Sequence, residues 1–178
     1  NALRWDGRPG RYEVWYLTGT DPASGVGFWL RHTLHAPASP AEPVTATLWA
    51  ACFDPAAPER NCGLRRTVAV EAVALEAEPL RWSWPGSQGD DAAGAEFSEG
   101  RARGHLQGGG RRIAWNLEFD EPPDPLWPLP AWAYRYPVSS SLLALPFPDA
   151  RFRGTLEWDG RTITLQGAPG CQSHVWGR

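Results

Sequence analysis

The amino-acid sequence predicts an antiparallel all-β domain, and three features of the chain support this fold class. Its 19 Gly and 18 Pro residues repeatedly interrupt short runs of β-branched and aromatic residues. No window sustains an apolar repeat at helical spacing, which favours strands and turns over helices. Period-two alternation is cleanest where Ile113, Trp115, Leu117 and Phe119 share one face. At 178 residues, we expect one domain, residues 1–178, that buries a core of its own.

The predicted strands are short, and turn residues bound most of them. The stronger ones cover residues 12–18, 26–34, 44–53, 64–75, 96–106, 111–119, 151–158 and 162–165, with weaker candidates at 80–84 and 139–145. The most specific local signal is the closing hairpin, because the loop Asp159-Gly160 is typical of a type I′ turn. This loop pairs Trp158 with Arg161, so the guanidinium can stack on the indole.

Two predicted strands carry large apolar side chains on both faces, since Trp29 follows Phe28 and Trp49 follows Leu48. Strands of this kind must be covered on both sides. They suit a barrel or a barrel-like sandwich whose interior could form a lipophilic cavity. A solid, fully packed core fits the sequence equally well.

Two long segments, residues 85–95 and 121–137, are predicted to be loops because they are rich in Gly and Asp or in Pro. The second is too aromatic for a disordered linker. We expect it to pack on the body of the domain, with a lid as one option. Its aromatic residues are Trp127, Trp132, Tyr134 and Tyr136.

Charge and hydropathy exclude several classes of protein. The formal net charge is −3, from 17 basic residues, all of them Arg, and 20 acidic ones. This balance lacks the excess of positive charge that is typical of nucleic-acid-binding proteins. No stretch reaches the ~18 consecutive apolar residues that a membrane helix requires, so we expect a soluble chain. The chain starts at Asn1 without Met, and its compartment stays open between cytoplasmic and exported.

The three cysteines, Cys52, Cys62 and Cys171, lack the paired C-x-x-C spacing of zinc sites, so no structural metal is expected. Cys52 and Cys62 flank the Pro-rich loop at residues 54–61. They are predicted to be free thiols, or a disulfide that closes this loop if the protein is exported.

Among the four histidines, His174 is the candidate for chemistry. Gln172, Ser173 and Trp176 surround it in sequence, directly after a Gly-rich segment that we predict to be a turn at residues 167–170. Polar groups that converge beside an aromatic ring suit the mouth of a pocket. The alternative is that His174 and Gln172 satisfy backbone groups where the chain leaves the sheet, with Trp176 plugging a barrel end.

The other candidates for chemistry are weaker. His32 and His35 lie three residues apart on a strand, which places them on opposite faces and argues against a shared metal. His105 is predicted to be solvated. The chain contains no G-x-S-x-G elbow, P-loop, H-E-x-x-H motif or dinucleotide fingerprint, so neither a metal nor a nucleotide cofactor is expected.

Four segments resemble the AttH-like, lipocalin-like family: YEVWY at residues 12–16, TLWA at 47–50, GTLEWDG at 154–160 and GAPGCQSHVWG at 167–177. This family includes relatives of carotenoid 1,2-hydratase (hydroxyneurosporene synthase) and, more distantly, tocopherol cyclase and Diels–Alder cyclases. The resemblance implies two lipocalin-like domains, of which residues 1–178 match the first. A second domain or subunit is therefore an expected partner.

The resemblance also implies a function and its residues. The expected ligand is a lipophilic small molecule, isoprenoid or polyketide-like, bound by a carrier or by a hydratase, cyclase or isomerase. His174 would be a proton donor or hydrogen-bond anchor and Gln172 an orienting group. Six tryptophans are the candidate wall of an interior cavity of several hundred Å³: Trp15, Trp29, Trp49, Trp115, Trp158 and Trp176.

A binding module without catalysis is the competing hypothesis. Exposed rings of Trp127, Trp132 and Tyr134 would then form a platform for sugar rings or for a partner protein. This alternative requires neither a cavity nor proton chemistry.

Overall fold

A computed structural model describes residues 2–86, 94–120, 124–136 and 139–178 of the chain. Within them lie eleven strands that form one sheet and a short helix. The strands are β1 (Arg11–Thr20), β2 (Gly27–Ala36), β3 (Thr45–Phe53), β4 (Cys62–Ala69), β5 (Ala74–Ala77), β6 (Leu80–Ser83), β7 (Glu96–Ser98), β8 (Arg101–Gly108), β9 (Arg111–Phe119), β10 (Ser141–Trp158) and β11 (Arg161–Gly177), and the helix is α1 (Ala131–Arg135). The predicted all-β class is confirmed.

All strand pairs are antiparallel, in the order β4-β3-β2-β1-β11-β10-β9-β8-β7-β6-β5. The two edge strands, β4 and β5, are consecutive along the chain and are separated only by residues 70–73. Five Cα steps span at most about 19 Å, whereas a flat sheet of this strand number is roughly 48 Å wide. The sheet must therefore curl until its edges approach each other, which produces a half-barrel.

Large side chains from both walls fill the interior of the half-barrel. Trp15, Trp82 and Trp158 are almost completely buried. The rings of Trp15 and Trp82 meet edge to face with centroids 5.6 Å apart, although five strands lie between β1 and β6 in the order of the sheet. Because aromatic side chains bury the largest areas per residue, this cluster is a major part of the core.

The strand predicted at residues 64–75 is wrong in its second half. β4 ends at Ala69, a 3-10 turn covers Val70–Ala72, and the chain then begins β5 on the opposite edge. A mostly apolar run continues through this crossing without Gly or Pro, so the sequence does not mark it. The Val70 N–H donates to the carbonyl of Val44, which fixes the turn against the chain segment that enters β3.

The hairpin of β10 and β11 confirms the predicted register. Trp158 pairs with Arg161 and Leu156 with Ile163. Asp159 and Gly160 have φ of 47° and 79°, as a type I′ turn requires. The Arg161 guanidinium carbon lies 5.2 Å from the centroid of the Trp158 ring, as expected for a stacked cation.

The prediction that the chain leaves the sheet after residue 165 is wrong. β11 continues to Gly177, and residues 167–170 belong to it rather than to a turn. Gly167, with φ of 83°, is the extra residue where the pairing with β10 shifts, so it is accommodated as a β-bulge. β10 is likewise one strand, with irregular pairing on either side of Phe147.

The aromatic segment predicted as a loop packs on the body of the domain. In its described part, residues 124–136, Leu126 bridges to Leu145 and α1 supplies one short helix. The Tyr134 hydroxyl donates to the Leu143 carbonyl over 2.7 Å. Residues 121–123 and 137 of the prediction lie outside the described residues, as do residues 87–93 of the other predicted loop.

Cys52 and Cys62 are direct partners across β3 and β4, and both are buried free thiols. Free thiols were one of the two predicted states. Among the described residues, no helical segment has the length and apolar character that a bilayer crossing requires.

Candidate functional site

A buried acid–imidazole pair lies at one end of the half-barrel. In the pairing of β1 with β11, Trp15 is opposite His174 and Glu13 is opposite Trp176. Because directly opposed residues share a face of the sheet, all four side chains lie on its inner face. The Nε2 atom of His174 is 2.8 Å from Oε1 of Glu13, and each residue is only 1% exposed.

The carboxylate of Glu13 is also the acceptor for the segment that precedes β1. Oε1 accepts from the Arg4 N–H over 2.7 Å, and Oε2 accepts from the Trp5 N–H over 2.8 Å. Since both carboxylate oxygens act as acceptors, we assign Nε2 of His174 as a donor, which leaves Nδ1 as the acceptor of the neutral ring. The carboxylate therefore fixes the tautomer of the imidazole.

The environment keeps His174 uncharged at neutral pH. Burial lowers the pKa of His174 below its ordinary value, and the Arg4 guanidinium lowers it further, while the hydrogen bond and charge of Glu13 raise it. Burial is the larger effect because the charged ring would lose its hydration. A neutral imidazole oriented by a carboxylate is a competent proton acceptor.

Aromatic rings enclose the imidazole on two sides. Trp15 stacks on His174 with centroids 4.6 Å apart and planes 13° from parallel. Trp176 lies 4.8 Å away at 42°. The Arg4 guanidinium covers the Trp176 ring at 5.3 Å, so the segment before β1 also encloses this end of the interior.

Directly beside the pair, an open cleft of about 590 Å³ lies between the start of β1, the start of β10 and the end of β11. Its volume is within the range of small-molecule sites. Glu13 and Trp176 belong to its lining, and His174 lies beneath it. The lining consists of Arg4, Trp5, Asp6, Arg11, Tyr12, Glu13, Ser139, Ser140, Leu142, Trp176, Gly177 and Arg178.

Comparison with known proteins relates this geometry to one fold. No model of a known protein family matches the chain. A crystal structure of a Nitrosomonas europaea protein, provisionally described as an AttH, superposes with a TM-score of 0.61 and 17% identity, over 99% of this chain and 56% of the other. This chain has the AttH-like fold. At this identity the likeness concerns the fold alone, and the lipocalin-like class predicted from the sequence is confirmed.

Sequence comparison finds an uncharacterised protein of Mycobacterium tuberculosis, present in strains CDC 1551 and H37Rv. In both strains it is 29% identical to this chain over 174 residues, which are 98% of the chain and 47% of the relative. The chain thus spans about half the length of the curated relatives it matches. The likeness to carotenoid 1,2-hydratase rests only on the sequence motifs.

The AttH-like fold distributes the predicted tryptophans over three places. Of the six predicted tryptophans, Trp176 alone lines the cleft. Trp15, Trp115 and Trp158 are packed in the core. Trp29 and Trp49 lie on the outer face of the sheet with their rings 6.2 Å apart, each beside an arginine, because their neighbours in β2 and β3 take the inward positions.

Gln172 is buried on the same inner face, two residues before His174 and opposite Leu17. The structure thus brings His174, Gln172, Trp15 and Trp176 to one region. The cleft lies at the end of the half-barrel, since aromatic side chains occupy the middle. No group of three or more His, Cys, Asp or Glu gathers as a metal site within the residues that the structure describes.

Sequence reasoning missed Glu13. A signal for it existed, because in the strand predicted at residues 12–18 this acidic residue has the same alternation phase as Trp15 and Leu17. A carboxylate on the face that carries the apolar residues requires a buried partner. The identity of that partner depended on the pairing of β1 with β11, which the sequence did not indicate.

Proposed function

We propose that this AttH-like domain binds a hydrophobic small molecule in the cleft at the end of the half-barrel. The observation that carries this proposal is the cleft of about 590 Å³, with Trp5, Leu142 and Trp176 in its lining, directly above the Glu13–His174 pair. Ligand sites in proteins combine apolar walls with a few oriented polar groups. Lipocalin-like barrels in general suit ligands of this type.

A reaction is the finer part of the proposal. Neutral His174, oriented by Glu13, would transfer a proton to or from a ligand that reaches below Trp176. Hydration, cyclisation and isomerisation of an isoprenoid or polyketide-like molecule are reactions of this kind, and aromatic rings at the site would stabilise a cationic intermediate. A carrier would use the same cleft without the proton transfer.

Binding is tested first, with the neutral lipophilic fluorophore N-phenyl-1-naphthylamine. We expect saturable binding at one site and a loss of about tenfold in affinity for Trp176→Ala, because central aromatic residues carry most of the binding energy at such sites. Trp29→Ala, which removes an outer-face indole, is the matched control and should bind as the wild type does. Absence of saturable binding, or equal losses in both variants, contradicts the proposal.

The reaction is tested by incubating isoprenoid and polyketide-like ligands that displace the fluorophore. Product should form with the wild type and not with His174→Asn, while both proteins still bind the ligand. Binding without any product in the wild type identifies the domain as a carrier.

A non-catalytic binding module is the second candidate, and exposure of aromatic side chains favours it. Trp127 and Trp132 are 42% and 57% exposed, and Trp127 packs edge to face on Tyr134 with centroids 5.0 Å apart. Exposed rings of this size suit sugar rings or a protein partner. Binding on a glycan array that disappears in Trp132→Ala and persists in Trp49→Ala would support this function.

The length of the relatives bears on domain organisation. Because the chain spans 47% of the curated relatives, we propose that a second lipocalin-like domain accompanies this one. The length of the natural open reading frame tests this point: a frame of about 178 codons would contradict it.

A further inference from the structure

The cleft carries an unbalanced positive charge. Arg4, Arg11 and Arg178 line it, together with the carboxylates of Glu13 and Asp6. In the part of the chain that the structure describes, none of these three guanidinium groups forms an ion pair. This local excess contrasts with the formal net charge of −3 for the whole chain.

Both carboxylates of the cleft already have partners. Glu13 is 1% exposed and accepts from two backbone N–H groups and from His174. Asp6 forms an ion pair with Arg8, which does not line the cleft, over 3.2 Å. The partners of Glu13 are neutral groups, so its negative charge offsets only one of the three guanidinium groups that line the cleft, and an excess of positive charge remains.

The positive charge lies next to apolar surface. The Arg4 guanidinium lies 5.3 Å above the Trp176 ring, and Leu142 and Trp5 line the same cleft. A guanidinium is a planar fork of donors that matches a carboxylate in two hydrogen bonds. The guanidinium groups of Arg4 and Arg11 both line the cleft beside this apolar surface. The combination is complementary to a molecule with an apolar tail and an anionic end.

We propose that the natural ligand of this cleft is a long-chain carboxylate, with its carboxylate bound by Arg4 and Arg11 at the mouth and its tail against Trp176 and Leu142. This inference rests on the proposed function and names its ligand class. Arg4 is also the residue that adds positive charge near His174. A bound carboxylate would thus lie at the same end of the half-barrel as the buried acid–imidazole pair.

The test compares cis-parinaric acid with its methyl ester, two fluorescent probes with the same tail. Titrations at pH 8 and low ionic strength should show the acid binding at least about tenfold more tightly than the ester. Arg11→Gln should weaken the acid about fivefold or more and leave the ester unchanged. Arg101→Gln removes an exposed guanidinium of β8 that does not line the cleft and forms no ion pair among the described residues, and this matched control should keep the wild-type ratio of acid to ester.

The outcomes separate this inference from the function on which it rests. Saturable and equal binding of acid and ester overturns the carboxylate and leaves the hydrophobic site in place. Binding of neither probe, together with no binding of N-phenyl-1-naphthylamine, overturns both. Equal losses in Arg11→Gln and Arg101→Gln indicate unspecific attraction and overturn the role of Arg11. Far-ultraviolet circular dichroism verifies that each variant is folded, and Arg4→Gln replaces Arg11→Gln if it is not.

Discussion

The Nε2 atom of His174 lies 2.8 Å from Oε1 of Glu13, although the two residues are 161 positions apart in the chain. They meet because the first strand of the sheet pairs with the last one. The same carboxylate holds the backbone N–H groups of Arg4 and Trp5. One buried side chain therefore joins three parts of the protein and determines the geometry beneath the cleft.

Replacement of Glu13 by Gln should destabilise the protein by about 2–4 kcal/mol, because the amide offers one acceptor oxygen where the carboxylate offers two and leaves buried donors without partners. Urea unfolding at pH 7 measures the change in the free energy of unfolding. Glu118→Gln alters an exposed carboxylate in β9 and should stay within about 0.5 kcal/mol of the wild type. A Glu13→Gln protein as stable as this control would show that the pair carries no net stabilisation.

His32 should make the fold sensitive to mild acid. Burial lowers the pKa of His32 to about 3, and the Trp84 indole N–H donates to its Nδ1 over 3.1 Å. In the unfolded chain the pKa is about 6.5, so the unfolded state binds more protons between these values and stability falls as the pH drops from 6.5 towards 3. The slope from this residue is at most about 1.4 kcal/mol per pH unit.

His32→Phe should flatten the decline in stability between pH 6.5 and 4.5, measured by urea unfolding at several pH values. Part of the decline in stability should remain in this variant, because the pKa of His174 is also lowered. At pH 7 the variant should lose about 1–3 kcal/mol because the Trp84 N–H has no acceptor. His35→Gln, at an exposed position of the same strand, should keep the wild-type slope. Parallel profiles for wild type and His32→Phe would contradict the assignment.

Gly154 is required by the close approach of β9 to β10. Its φ is 121°, and a Cβ atom there would lie 2.0 Å from the carbonyl oxygen of Asn116. Gly154→Ala should therefore cost about 3 kcal/mol or more and lower the melting temperature strongly. Gly160→Ala, at φ of 79° with open space around the new methyl group, should cost only about 1 kcal/mol. Similar losses in both variants would contradict the steric explanation.

The thiols should react in a fixed order. Burial raises the pKa of Cys52 to about 12 and also raises the pKa of Cys62, which makes both poor thiolates. Partly buried Cys171 should therefore react first with Ellman's reagent at pH 8, and Cys171→Ser should remove the fast phase. Three thiols are expected in guanidinium chloride. A single reactive thiol there would mean that Cys52 and Cys62 are joined as a disulfide.

Local signals account for the parts of the fold that were predicted correctly. The alternation of Leu156 and Trp158 and the loop Asp159-Gly160 specify the hairpin register because turn geometry and side-chain phase act over a few residues. His174 was identified by its neighbours in sequence, whereas Glu13 was missed because its partner is distant in sequence. The end of the predicted strand at residues 64–75 was missed for a similar reason, since the crossing between sheet edges depends on how the whole sheet curls.

The sequence by itself determined that this protein is an antiparallel β domain, with a closing hairpin of known register and His174 as the candidate for chemistry. Only the tertiary structure decided that β11 continues through the bulge at Gly167, pairs with β1 and brings His174 to Glu13 beneath a cleft. The physical reason is that turns and strand phase depend on neighbouring residues. Pairing between the first and last strands, and the filling of the half-barrel by tryptophans, depend on contacts between segments distant in the chain.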